Sequence, residues 1–169
     1  MRVIYDSLFV LAVARPIPRA MVSKAVVTDI RDRLKTRGLR ITPQRFAVYG
    51  NLLDRTDHPT VDQILEAINE ELPIASKASV YTALTVLREV GLVREVLLDE
   101  GVTRYDANVQ PHHHFVCEDC GAIVDLPWDL LGDRLDLSKI PPALDVTSYE
   151  LTVRGHCGGC ERSDVELLG

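Results

Sequence analysis

The chain has 169 residues, 46% of them apolar and 5% aromatic, with a formal net charge of -6. This is the profile of a globular protein of one ordinary domain or two small ones, and it excludes a single large core. The charge is uneven: residues 1 to 97 hold 14 Lys/Arg against 11 Asp/Glu, whereas 98 to 169 hold 5 against 14, so two modules with different partners are expected.

Residues 1 to 22 resemble nothing in the remainder. The apolar run Leu8 to Ala14 follows Arg2, which raises a signal peptide, but Asp6 interrupts its approach and the run is far too short to span a bilayer. Arg15-Pro16-Ile17-Pro18-Arg19 then breaks any helix, so the segment reads as an extension, with Met21 as an alternative start. From Lys24 to Arg45 there are 7 basic and 2 acidic residues, a field that attracts phosphates, although a solvated helix face has the same look.

The spacing predicts a first helix from Lys24 with Val26, Val27, Ile30 and Leu34 on one face, stopped by Gly38. Thr42-Pro43 is a cap and first-turn pair opening a second, with Phe46, Tyr49, Gly50 and Leu53 inward. Thr60-x-x-Gln63 is a capping box opening a third, with Val61, Ile64, Leu65 and Ile68 buried. Ser76 caps a fourth that runs to Gly91, burying Val80, Ala83, Leu84, Leu87 and Val90 and offering Lys77, Tyr81, Thr82, Thr85 and Arg88 outward. Leu92 to Leu98 and Val102 to Asp106 flank a short turn and form a hairpin. That order is a winged helix-turn-helix, whose last helix enters the DNA major groove, and the basic first third favours DNA over a protein partner.

The stretch Tyr105 to Asp125 holds two aspartates, three histidines and a Cys-x-x-Cys pair. Two short strands are expected around the turn Glu118 to Gly121, so that His112 and His114 point one way and His113 the other. Paired imidazoles flanked by Asp106 and Asp125 make a nitrogen and oxygen site for a divalent metal. Trp128 to Leu137 is read as a short amphipathic helix, and Thr147 to Gly155 as a strand with Tyr149, Leu151 and Val153 on one face, returning Cys157 and Cys160 to the hairpin.

All four cysteines fall in two pairs, Cys117/Cys120 and Cys157/Cys160, with 36 residues between them and none left over. Such pairs share one tetrahedral zinc in a closed, structural site. Disulfides and a redox dithiol are the competing readings; reduced cytosolic thiols speak against the first, and two matched pairs without a surrounding βαβ pattern against the second.

Leu39-Arg40-x-Thr42-Pro43-Gln44-Arg45, His58-Pro59-Thr60, Ser79-Val80-Tyr81, Arg104-Tyr105-Asp106 and the run His112-His113-His114-x-x-Cys117-x-x-Cys120-Gly121 with the closing Cys-x-x-Cys closely resemble the ferric uptake regulator family. The resemblance covers roughly residues 24 to 160 and implies an α+β fold. An N-terminal winged helix-turn-helix domain would be followed by a small α/β dimerisation domain with a three-stranded sheet. The expected boundaries are 1–22 for the extension, 23–106 for the DNA-binding domain with hinge, and 107–169 for the metal-binding dimerisation domain. The implied protein is a cytoplasmic, homodimeric, metal-dependent repressor of double-stranded operator DNA, with no membrane partner, no organic substrate and no enzymatic activity.

Within that family, zinc sensors use a sensing-site cysteine, and here every cysteine is committed. Iron-uptake regulators usually carry His-Asp-His and glutamates where this chain has His113, Asp106 and Asp125. The pattern is similar to the peroxide-sensing branch, which implies a regulatory Fe2+ or Mn2+ site of His58, Asp106, His112, His114 and Asp125 beside the structural zinc of Cys117, Cys120, Cys157 and Cys160. Peroxide would be sensed through iron-catalysed oxidation of a histidine ligand. The DNA-facing residues implied are Arg40, Arg45, Lys77, Ser79, Tyr81 and Thr82. Thr82 stands where iron regulators often carry an arginine, so the operator read is expected to differ. An iron-uptake or manganese regulator of the same fold is the runner-up, and a non-haem iron enzyme or a metal-buffering protein the rivals of another class.

Overall fold

The computed structural model describes residues 24–71, 73, 75–99, 101–130, 137–158 and 160. The extension 1–22 and most of the helix expected over 128–137 lie outside them; of that helix residues 128–130 are described, as a 3-10 turn, and Leu137, which opens another over Leu137–Lys139. The elements in order are α1 (Lys24–Thr36), α2 (Pro43–Leu53), α3 (Val61–Glu71), α4 (Lys77–Glu89), β1 (Arg94–Asp99), β2 (Val102–Asp106), β3 (His113–Cys117), β4 (Ile123–Leu126) and β5 (Thr152–Gly155). They fall into two compact units that divide between Gln110 and Pro111. No described helix is long and apolar enough to cross a membrane.

In the first unit the helix starts lie where the caps demand. Thr42 accepts from Arg45 N with Pro43 in the first turn. Thr60 and Gln63 exchange both bonds of a capping box, at 2.8 and 3.3 Å. Ser76 and Ser79 do the same at the start of α4. Each box satisfies amide donors that a helix start otherwise leaves open. At the other end, Leu92 N reaches Leu87 O and Gly91 N reaches Arg88 O, both at 2.9 Å, with Gly91 at φ 68°. That pattern is a Schellman stop, and α1 ends the same way at Gly38.

The apolar stripes close on one core of Ile30, Leu34, Val48, Tyr49, Leu52, Ile64, Val80, Leu84 and Leu87, joined by Tyr105 from β2. Burying one such side chain contributes roughly 1.5–3 kcal/mol. Two sequence expectations are corrected here. Val26 is exposed, because the first turn of α1 lies beyond the core. In α2 the buried face is Val48, Tyr49 and Leu52, while Phe46 and Leu53 pack only at its margin. β1 and β2 pair as an antiparallel hairpin from Arg94↔Asp106 to Asp99↔Val102.

In the second unit a three-stranded sheet has the order β4-β3-β5. β4 runs antiparallel to β3, with His114 opposite Asp125, and β5 runs parallel to β3, with His114 opposite Thr152. The expected strand Thr147 to Gly155 is therefore shorter than its alternation implies. Only Thr152–Gly155 are strand, because β3 offers partners from His114 to Cys117 and none beyond.

Candidate metal centres

The sheet brings the two cysteine pairs together. The turn after β3 is closed by Cys117 N to Ala122 O and Gly121 N to Cys117 O, both 2.9 Å, which places Cys117 and Cys120 on one knuckle. Glu118 N bonds Gly155 O at 2.8 Å, so the chain leaving β5 carries Cys157 and Cys160 back over that knuckle. Sγ of Cys117 lies 3.7 Å from that of Cys160, Cys120 lies 3.7 Å from Cys157, and Cys157 lies 3.3 Å from Cys160. All four sulfurs fall within 4.8 Å of one another.

These separations are too long for a disulfide bond of about 2.05 Å. They match instead the edge of a tetrahedron, about 3.8 Å for metal–sulfur bonds of about 2.3 Å. The electrostatics agree. Donation from the Cys157 N–H pulls the Cys117 thiol down to about 6, while the Cys157 thiol pushes Cys160 up. Four thiols this close contend for one negative charge, and a divalent cation relieves that contest by letting all ionise. Beside them the exposed His156 places Nδ1 3.0 Å from Asp119 Oδ2.

Two further donor sets are built from nitrogen and oxygen. In the first unit, His58 is buried at the start of the Pro59–Thr60 segment and has φ 50°, in the left-handed region. The segment is held to β2 by Tyr105 N to Pro59 O at 3.0 Å and by Arg104 Nη1 to His58 O at 3.2 Å. His58 Nδ1 lies 3.1 Å from Thr56 O, which fixes the proton on Nδ1 and makes Nε2 the lone-pair nitrogen. That nitrogen lies 3.7 Å from Asp106 Oδ2. Burial pushes the Asp106 carboxyl up, but the His58 imidazole, the Asn108 N–H at 2.7 Å and the Arg94 guanidinium at 3.2 Å together hold it below the usual carboxylate range.

In the second unit, extended chain entering β3 puts His112, just before the strand, and His114 on one face, their Nε2 atoms 3.1 Å apart and their rings edge to face. Asp125 on β4 approaches both, with Oδ1 3.6 Å from His112 Nε2 and 4.0 Å from His114 Nε2. An N···N separation near 3 Å is what two imidazoles at about 2.1 Å from one ion would show. His113 points the other way and stacks on Trp128 and Tyr149, with centroids at 4.8 and 5.8 Å. Neither of its ring nitrogens has a hydrogen-bond partner among the described residues, so what the structure shows of it is ring packing. The sequence reading missed Glu150, whose Oε1 lies 2.8 Å from His114 Nδ1. No local signal announces it, since only the parallel pairing of β5 with β3 brings it there.

On the outer face of α4, Tyr81 and Thr82 are exposed. Thr82 Oγ1 donates to Ala78 O at 2.9 Å. Lys77 Nζ pairs with Asp62 at 2.6 Å across the α3–α4 junction. Ser79 is engaged in the capping box, so its hydroxyl serves the helix start. Arg45 Nη1 donates to Arg40 O at 2.9 Å, tying two of the expected DNA-facing residues together at the start of α2.

Comparison with known proteins agrees with this architecture. The sequence profile of the ferric uptake regulator family matches residues 36–152. The peroxide-responsive repressor PerR of Staphylococcus aureus is 35% identical over 128 residues, covering 76% of this chain and 86% of its own. Among solved structures, the Campylobacter jejuni peroxide stress regulator superimposes with a TM-score of 0.59 at 28% identity, over 80% of this chain and 98% of that one. The Helicobacter pylori ferric uptake regulator gives 0.65 at 21% identity, over 83% and 95%, a likeness of fold alone. With a profile spanning most of its length and a relative 35% identical over 76% of it, the chain belongs to the ferric uptake regulator family.

Proposed function

We propose that the chain is a cytoplasmic, homodimeric transcriptional repressor that binds double-stranded operator DNA in a metal-dependent manner and is switched off by peroxide. The observation that carries this reading is the division of donors: all four thiols are gathered in one closed cluster, and the other donor sets hold only imidazole and carboxylate. The first suits a structural zinc on Cys117, Cys120, Cys157 and Cys160. The second suits Fe2+ or Mn2+ rather than a thiolate-seeking ion. The 35% identity with a peroxide-responsive repressor supports the same branch.

In this proposal His58 and Asp106 from the first unit and His112, His114 and Asp125 from the second serve one regulatory ion. His58 offers Nε2 because its Nδ1 proton is directed to Thr56 O. Asp106 is held ionised by Arg94 and Asn108. A ligand set drawn from both units favours one relative arrangement of them, so the metal selects the DNA-binding state from the ensemble. Tyr81 and Thr82 read the major groove, Arg40, Arg45 and Lys77 contact phosphate, and Ser79 fixes the start of the reading helix. Bound ferrous iron would supply the reducing electron for peroxide, and with it an oxidant within reach of the ligand imidazoles.

The test is mass spectrometry of iron-loaded protein after brief peroxide, alongside DNA binding. One added oxygen on His58 or His112, absent from the Mn2+ form and gained in step with loss of DNA binding, is expected. Oxidation confined to the four cysteines would move the chain to a thiol-based sensor or to the plain iron-regulator branch, and no oxidation with DNA binding intact would place it with plain iron-uptake or manganese regulators.

A further inference from the structure

We propose that Asp62 is an internal competitor of DNA phosphate for Lys77: its carboxylate occupies the ammonium in the free protein and so sets how tightly the reading helix binds DNA. The proposal rests on the reading of α4 as a DNA-facing helix given above.

Three observations carry it. First, Lys77 Nζ lies 2.6 Å from Asp62 Oδ1 and 3.0 Å from Oδ2, so two carboxylate oxygens sit on the ammonium where phosphate oxygens would. Second, the two side chains are open to solvent, 52% and 71% exposed. A pair in that setting is weak, and an incoming phosphate reaches it without unpacking the core. Third, Lys77 is the first residue of α4, and Tyr81 follows one turn later on the same exposed face. A cation there meets the positive end of the helix dipole, which disfavours it in the helix and adds to the local attraction for an anion. In the free protein that anion is Asp62.

The fold supplies the competitor. Asp62 stands in the first turn of α3, where the Thr60–Gln63 capping box sets the chain and the helix dipole favours a carboxylate. Asn69 near the end of α3 donates to Ala75 O at 2.9 Å and accepts from Ala75 N at 3.1 Å, which ties the start of α4 to α3. The other basic residue of α4 is matched in the same way, Arg88 with Glu95 of β1. Residues 24 to 45, by contrast, hold 7 basic and 2 acidic residues. The field that draws in phosphate is thus concentrated on α1 and the start of α2, and each cation of α4 must exchange a carboxylate for it. Phosphate contacts carry no sequence information directly, so Asp62 trims the part of the affinity that is common to all sequences.

The test measures binding of the zinc-containing, Mn2+-loaded protein to random-sequence duplex DNA across a salt series. Asp62→Asn, which keeps the size and one acceptor oxygen, is expected to bind roughly two- to five-fold more tightly than the wild type at low salt, with the gain fading as salt screens the pair. In the Lys77→Ala background the gain from Asp62→Asn should be largely lost. Glu66→Gln, which removes an exposed charge one turn further along α3, should stay near the wild type. Should Asp62→Asn fold poorly, Asp62→Ser carries the same comparison. A gain that survives Lys77→Ala at full size, or that Glu66→Gln matches, would be an effect of net charge and would overturn the proposal, as would unchanged affinity in Asp62→Asn. Each of these results leaves α4 as the reading helix, whereas a wild type that binds no duplex DNA would overturn the DNA-binding reading and the proposal with it.

Discussion

At the scale of single residues, His58 shows how a ligand can be held ready at a cost to its backbone. A non-glycine residue at φ 50° is strained, by about 1 kcal/mol or somewhat more. The surroundings hold it there: Arg55 grips Asp57 through Nε at 2.7 Å just upstream, and Arg104 and Tyr105 fasten the segment to β2. His58→Gly should therefore be more stable than His58→Ala by about 0.5–1 kcal/mol in urea unfolding without regulatory metal, since glycine accepts the positive φ. Equal stability, or alanine ahead, would mean the segment relaxes and stores nothing. His112 and His114 were legible in the sequence because strand alternation alone puts them on one face. His58 entered only by family resemblance. Its buried place beside Asp106 follows from a loop conformation that no local pattern encodes, and Glu150 stayed hidden because a parallel pairing between distant segments positions it.

Among the elements, α4 separates residues that build the helix from residues that present it. Ser76 and Ser79 exchange both capping-box bonds, while Tyr81 is 47% exposed and supports no part of the core. Ser76→Ala and Ser79→Ala should each cost about 1 kcal/mol of unfolding free energy, with Tyr81→Ala near neutral in stability. DNA binding should order them the other way: Tyr81→Ala weakens operator affinity at fixed salt, and Lys77→Ala also flattens the salt dependence, by about one unit of slope. If Tyr81→Ala unfolds the protein, or both variants bind DNA as the wild type does, α4 is not the reading helix. The helix boundaries of the first unit were legible because caps and glycine stops are short-range chemistry. β5 was drawn too long because alternation reports which residues favour a strand, not how many partners the neighbouring strand can offer.

For the molecule as a whole, the distribution of core and thiols implies that the two units depend on metal unequally. Residues 24–110 own the apolar core from Ile30 to Tyr105 and need no cluster to hold it. Residues 111–160 have a three-stranded sheet of short strands, a small core and a last strand fastened at its end by Cys157 and Cys160. With zinc in place, metal-binding free energy on the order of 10 kcal/mol or more would be folding free energy for this second unit. The chain carries its own reporter of this, because its 1 tryptophan is Trp128, stacked on Tyr149 at 4.4 Å within that unit. Stripping zinc with a strong chelator under reducing conditions should shift Trp128 fluorescence toward that of a solvated indole and speed amide exchange over Thr152–Gly155. The far-ultraviolet helical signal should stay largely intact, since the four α-helices among the described residues all lie in the first unit. Cys157→Ser should reproduce the stripped state without chelator. If Trp128 and the helical signal are lost together, the first unit leans on the second for its fold. If neither changes when zinc is gone, the thiol cluster is not what fastens β5 to the sheet.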